Sequence, residues 1–272
     1  MKYRFIDLFA GAGGLSEGFI RAGYEPIAHI EMDHYACDSL KTRAAFHYLK
    51  ENGKLEIYEE YLKNKKEKTD GSWLWNQVPK SVIDSVIQEA IGKETLPSLF
   101  ERVDKLCNGK PVDMIIGGPP CQAYSVAGRA RLGKKIEEDP RNDLYKFYVE
   151  FLKRYKPKMF VFENVLGIFT AKGGEPFRDL IRLVRELDYN IDFREQIASQ
   201  HGVLQKRHRV IIVGWQNKRD TQEDTSYHYP YLLEEQMPYK MMRDLFCDLP
   251  IVKAGEGTLC GIVHYTKPLS DM

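Results

Sequence analysis

Residues 3–31 constrain the fold more than any other stretch. A β-rich run at 3–9 meets the glycine turn Ala10-Gly11-Ala12-Gly13-Gly14, and apolar residues at helical spacing follow over 15–22. Gly23 ends that helix, and a second strand at 26–30 closes at Glu31. A strand–turn–helix–strand opening predicts an α/β fold built on a doubly wound, mostly parallel sheet. Position 16 is Ser, so the spacing is not Gly-x-Gly-x-x-Gly, which argues against a nicotinamide or flavin enzyme. Glu31, at the end of the second strand, is placed to accept hydrogen bonds from both hydroxyls of a ribose.

The same rhythm returns further on. Strands are expected at 112–116 and 159–162, helices at 144–155 and 176–187, and two more strands at 191–197 and 210–214. Residues 48–95 interrupt it. Lys63-Asn64-Lys65-Lys66-Glu67-Lys68 is a charged, exposed run, and Val82, Ile83, Val86, Ile87 and Ala90 recur at the spacing of one helix face. This stretch is read as a largely helical insertion, with Trp73 and Trp75 as packing residues.

Five cysteines without a Cys-x-x-Cys pair predict free thiols in a reducing cytoplasm, and neither a disulfide framework nor a metal site. No apolar run approaches the ~18 residues of a membrane span, and the N-terminal residues run straight into a strand, so neither a membrane association nor a signal peptide is expected. A net charge of +1 gives no bulk attraction for nucleic acid. Phosphate binding would rest on local groups, with Arg129, Arg131, Lys134 and Lys135 in one and Lys206, Arg207 and Arg209 in the other.

Three segments carry chemistry. Ile116-Gly117-Gly118-Pro119-Pro120-Cys121-Gln122 presents a cysteine straight after an apolar strand, with prolines fixing the backbone and glycines leaving room for a ligand. Phe162-Glu163-Asn164-Val165 ends another strand, and its apolar neighbours predict a desolvated Glu163 with a raised pKa. In Gln205-Lys206-Arg207-His208-Arg209 the two arginines alternate where a strand begins, so they point to one side. With the glycine-rich start, these blocks resemble the DNA (cytosine-5) methyltransferase family in order and approximate spacing, over about residues 3–216.

That resemblance implies a Rossmann-like S-adenosylmethionine-dependent methyltransferase that acts on double-stranded DNA without a metal. It implies that Phe9 stacks near the adenine, that Ala10, Gly11 and Gly13 line the methionine end, and that Glu31 holds the ribose with Met32 beside the base. Pro119 and Leu144 match further cofactor contacts, while for the family's acidic residue on the third strand Glu101 and Asp104 are weighed and neither is assigned. Cys121 would be the nucleophile, Glu163 the acid near N3 of cytosine, and Arg207 the contact to O2 and to the carboxyl group. Gln122 and Ser125 match positions that fill the space left by a flipped base or hold the backbone, within a polar loop at 122–141 that includes Arg129 and Arg131. Asn164 orients the turn after Glu163 and is grouped with the DNA-binding residues, as are Gln205 and Arg209, which brace the loop or touch phosphate.

The expected organisation is a cofactor-binding and catalytic domain at 1–219, with its insertion at about 48–95, and an incomplete lead-in to a target-recognition region at 220–272. Three explanations fit the missing remainder: a second polypeptide, truncation, or an inactive remnant. The presence of every catalytic residue type favours the first two. An RNA cytosine-5 methyltransferase and a non-catalytic nucleic-acid-binding subunit are the alternatives. The RNA-acting branch follows its cysteine with a signature other than Gln122-Ala123-Tyr124-Ser125.

Overall fold

A computed structural model describes residues 2–63, 71–120 and 143–217, together with Cys247 and Leu249. The chain divides into two units, Met1–Glu195 with Arg209–Pro230 and Gln196–His208 with Tyr231–Met272.

The first strands and helices follow the expected alternation: β1 (Arg4–Leu8), α1 (Gly14–Arg21), β2 (Glu25–Glu31) and the long α2 (His34–Glu51). Three short helices come next, α3 (Leu55–Lys63), α4 (Ser72–Trp75) and α5 (Lys80–Asp84), and then β3 (Val86–Gln88) and α6 (Leu96–Cys107). β4 (Met114–Gly117), α7 (Leu144–Tyr155), β5 (Met159–Asn164), α8 (Glu175–Glu186), β6 (Tyr189–Ile197) and β7 (His208–Gln216) follow. Seven strands form one sheet in the order β3-β2-β1-β4-β5-β7-β6. β1 runs parallel to β2 and β4, β2 to β3 and β4 to β5, while β7 is antiparallel to β5. The doubly wound, mostly parallel expectation holds. The chain order reverses between β1 and β4, and in such sheets the crevice outside the strand ends at that point takes the ligand.

Helices cover both faces. Ile6, Leu8, Ala28, Ile115, Phe160 and Phe162 join one buried cluster with Leu99 and Val103 of α6, Tyr148 and Phe151 of α7, and Leu180 of α8. Phe5, Met114 and Ile116 face the other way, against Leu15, Phe19 and Ile20 on and beside α1. The Tyr148 hydroxyl lies 3.0 Å from the carbonyl of Ile115 and 3.1 Å from that of Val161, tying α7 to β4 and β5.

The stretch read as one helix face over residues 82–90 is divided in the structure. α5 stops at Asp84, and Val86 and Ile87 enter β3 beside His29 and Ile30. Both residues are β-branched and buried, and a three-residue strand is too short to show an alternation. The insertion therefore contains the third strand of the sheet. Its helices build a small separate core around Ala45, Leu49, Tyr61 and Leu74, flanked by Trp73 and Trp75. Trp75 packs there as expected, with Nε1 donating to Thr42 Oγ1 at 3.3 Å.

α1 is tied to α2 through Glu17. His47 Nε2 lies 2.9 Å from Glu17 Oε2, and Arg43 Nη2 lies 3.4 Å from the same oxygen. The hydrogen bond from His47 is the main cause that holds the Glu17 carboxyl below its usual range, against the opposing effect of partial burial. A depressed folded-state value contributes stability above the unfolded pKa of about 4.3 and loses it as pH falls through the folded value. Glu17→Gln is expected to cost about 0.5–1 kcal/mol near neutral pH, as a partly exposed pair does. Thermal melts of both proteins should converge below about pH 4.

Candidate active site

β1 ends in a backbone that few side chains adopt. Phe9 has φ 57°, the left-handed region, at a cost of ~1–2 kcal/mol for a bulky residue. This turns Phe9 out of the β1 row into a cleft of about 680 Å³ and lets the Ala10 N–H reach the carbonyl of Ile30 at 3.1 Å. Ala10 itself is buried, and its carbonyl accepts from Gly13 N–H at 3.0 Å. Gly13 combines φ 84° with a close approach: a Cβ there would lie 2.9 Å from Leu40 Cδ2.

Glu31 joins the two turns. Its Oε2 accepts from Gly11 N–H at 2.8 Å, and its Oε1 accepts from Met32 N–H at 2.8 Å and Asp33 N–H at 2.9 Å. Asp33 then caps α2 by accepting from Ala36 N–H at 2.8 Å. Glu31, Phe9, Met32 and Leu144 all line the cleft, as does Phe147 one turn further along α7. Gly118 and Pro120 line it too, whereas Pro119 is buried between them.

Glu89 is the residue that the sequence reading missed. It follows β3 directly, donates its N–H to the Glu31 carbonyl at 2.9 Å, and lines the same cleft. The two acidic residues weighed for a third-strand position, Glu101 and Asp104, lie on α6 and pair with Lys105 and Arg154 instead. The usable signal was Val86-Ile87-Gln88 as a strand, with an acid at its end.

A second group gathers where β4 and β5 end. Arg209 Nε donates to Glu163 Oε1 at 2.6 Å, and both side chains are about a quarter exposed (25% and 26%). The desolvated setting expected for Glu163 is not found. Phe160 and Phe162 point to the opposite face of β5, as alternation along a strand requires, so they do not bury the carboxyl group. Its other oxygen packs on Gly118, where an added Cβ would lie 2.7 Å from Oε2.

Asn164 is 5% exposed; its Nδ2 donates to the Pro119 carbonyl at 3.3 Å and its Oδ1 accepts from Val165 N–H at 2.8 Å. Its Oδ1 thus holds the turn after Glu163, the one it was read to orient, and its Nδ2 ties the chain there to the turn that leads to Cys121. Arg207 and Gln205 precede β7, so only Arg209 lies in the strand; Arg207 N–H donates to the Gln205 carbonyl at 2.9 Å. Cys121, Gln122, Ser125, Arg129 and Arg131 lie outside the described residues.

The profile of the C-5 cytosine-specific DNA methylase family matches residues 3–73 and 88–253. The chain belongs to that family. The gap between the two matched blocks, residues 74–87, runs from α4 into β3. The type II methyltransferase M.Bpa9945I of Bacillus paralicheniformis is 33% identical over 280 residues, 93% of this chain and 62% of that protein. M1.HphI of Haemophilus parahaemolyticus is 29% identical over 276 residues, with 100% of this chain and 60% of that protein covered. A solved structure described as a DNA modification methyltransferase encoded within an E. coli prophage has a TM-score of 0.56 and 25% identity, covering 92% of this chain and 56% of that one. The chain thus spans about three fifths of the length of these relatives. Among the described residues no helix is long and apolar enough to cross a membrane.

Gly118→Ala is expected to push the Glu163 carboxyl away from the Pro-Cys turn while leaving the sheet folded. Circular dichroism should be unchanged, and in a crystal structure of the variant Glu163 Oε2 should have moved from its place against residue 118.

Proposed function

We propose that this chain transfers a methyl group from S-adenosylmethionine to C5 of cytosine in double-stranded DNA, with Cys121 as nucleophile. The observation that carries this reading is the placement of two polar groups on either side of the β1–β4 switch point. Glu31, wrapped around the two turns, stands on one side, and the Glu163–Arg209 pair stands beside the turn into Cys121 on the other. The relatives named as type II methyltransferases support it.

The cleft suits the cofactor. Its ~680 Å³ lies in the ordinary range for a small-molecule site, Phe9 and Phe147 supply apolar walls, and Glu31 and Glu89 supply acceptors for hydroxyl and amino groups. When bound, the cofactor supplies an electrophilic methyl sulfonium.

The Cys121 thiolate adds to C6 of the base, and the electron pair displaced from the C5–C6 bond makes C5 nucleophilic. Glu163, carrying a proton, faces N3 and passes it there as negative charge develops on the ring, taking it back when the C6–S bond breaks, while Arg209 faces O2. C5 takes the methyl group, loses its proton, and the C6–S bond breaks to restore the aromatic ring and the free thiolate. Arg209 rather than Arg207 is assigned to the carboxyl group, on the strength of the 2.6 Å ion pair. Because C6 and C5 are shielded inside a duplex, the target base leaves the stack, and the segment at 122–141 is assigned to closing over it.

Duplex DNA carrying 5-fluorocytosine tests this directly, because fluorine does not leave C5 as a proton does. With S-adenosylmethionine the parent chain is expected to give a denaturant-resistant protein–DNA adduct and Cys121→Ala none. Arg209→Ala should slow adduct formation ~100-fold, the usual effect of removing one donor to developing charge, and more than Arg207→Ala does. An adduct retained by Cys121→Ala overturns the assignment of the nucleophile.

A further inference from the structure

One layer beneath the cofactor cleft lies a pair of buried polar side chains that the chemistry above does not use. Asp7 on β1 and His29 on β2 are register partners in the parallel pairing, 1% and 4% exposed. His29 Nδ1 stands 3.6 Å from Asp7 Oδ2, just beyond hydrogen-bond reach. Among the described residues, neither carboxylate oxygen of Asp7 nor Nδ1 of His29 has a hydrogen-bond partner. Buried polar atoms are rarely left so, and an apolar pair of similar size would be less costly at this position.

The location suggests what the cost maintains. Asp7 lies two residues before the strained Phe9, and His29 two before Glu31. Ser16 of α1 is buried beside Asp7, and its Oγ donates to the Gly13 carbonyl at 3.2 Å. Burial is the largest influence on the Asp7 carboxyl and raises its pKa, while His29 and Ser16 draw it back down. Both strands thus carry, just below their cofactor-facing ends, a polar group whose best partner is the other strand.

We propose that Asp7 and His29 form a clasp that positions the turns after β1 and β2 for the cofactor, closing from its 3.6 Å separation to a hydrogen bond when the cofactor draws the two turns together. This rests on the reading of the cleft as the S-adenosylmethionine site. The two are positioning residues and touch no substrate. Their contribution is realised only in the bound state, so it belongs to affinity more than to fold stability.

Calorimetric titration of the whole chain with S-adenosylhomocysteine, alongside thermal melts, tests it. Parent chain that does not bind overturns the cleft assignment and the clasp with it. If the parent binds, Asp7→Asn, which keeps the shape and removes the carboxylate, is expected to bind about 10-fold more weakly with an unchanged or higher thermal midpoint. The apolar double variant Asp7→Val/His29→Leu should behave alike. His29→Asn, whose Nδ2 falls where His Nδ1 sits, should stay within about 3-fold of the parent, a difference of less than 1 kcal/mol. Parent-like affinity in Asp7→Asn overturns the clasp. So does a fall of affinity and thermal midpoint together in all the variants, which marks a structural role alone. If the double variant does not fold, the near-isosteric Asp7→Asn decides.

Discussion

The turns after β1 and β2 depend on one carboxylate. Glu31 accepts three backbone N–H groups, one from the glycine turn after β1 and two from the turn after β2. Charge-assisted bonds of this kind are stronger than neutral ones, and they act on main chain, which has no rotamers to escape into. The left-handed Phe9, the Ala10–Ile30 contact and the Asp33 cap on α2 are all set by where those amides point. The carboxylate is at once a brace for the cradle and an acceptor at its rim. A carboxylate offers about four lone-pair sites, and three amides do not exhaust it.

The second group is organised differently. Glu163 is held from two sides, by the Arg209 guanidinium and by the close approach of Gly118. Asn164, the next residue, points to the opposite face of β5 and holds the Pro119 carbonyl. Adjacent residues of one strand therefore do two jobs through simple alternation. The odd-numbered position presents charge, and the even-numbered one pins the turn that leads to Cys121. Any shift of β5 along β4 would disturb both together.

Much of this was legible in the sequence because it is local. The helix at 144–155 and the strands β1, β2, β4 and β5 follow from periodicity and from glycine or proline at the ends. The burial of Glu163 was misjudged because neighbours in sequence were taken for neighbours in space, and in a strand they are not. Glu89 escaped notice for a different reason. β3 is three residues long and is defined by pairing with β2 rather than by any pattern of its own. The helical reading of residues 82–90 fitted the apolar spacing equally well, and only tertiary pairing decides between the two. Alternation sets Arg207 and Arg209 on one side and does not choose between them, whereas the structure pairs Arg209, inside β7, with Glu163.

The order of the strands sets two groups of side chains on either side of the switch point. β1, β2 and β3 deliver Phe9, Glu31 and Glu89 to one side of the switch point, and β4, β5 and β7 deliver Gly118, Glu163 and Arg209 to the other. Helices that cross over from opposite faces leave the strand ends uncovered only where the winding reverses. On the function proposed above, a methyl donor at the first set and a base at the second would approach each other along the same edge. The parallel sheet fixes their separation through register, so neither group depends on a loop for its position. What loops add is access. The turn that leads out of β4 is itself held from β5, through the bond from Asn164 to the Pro119 carbonyl.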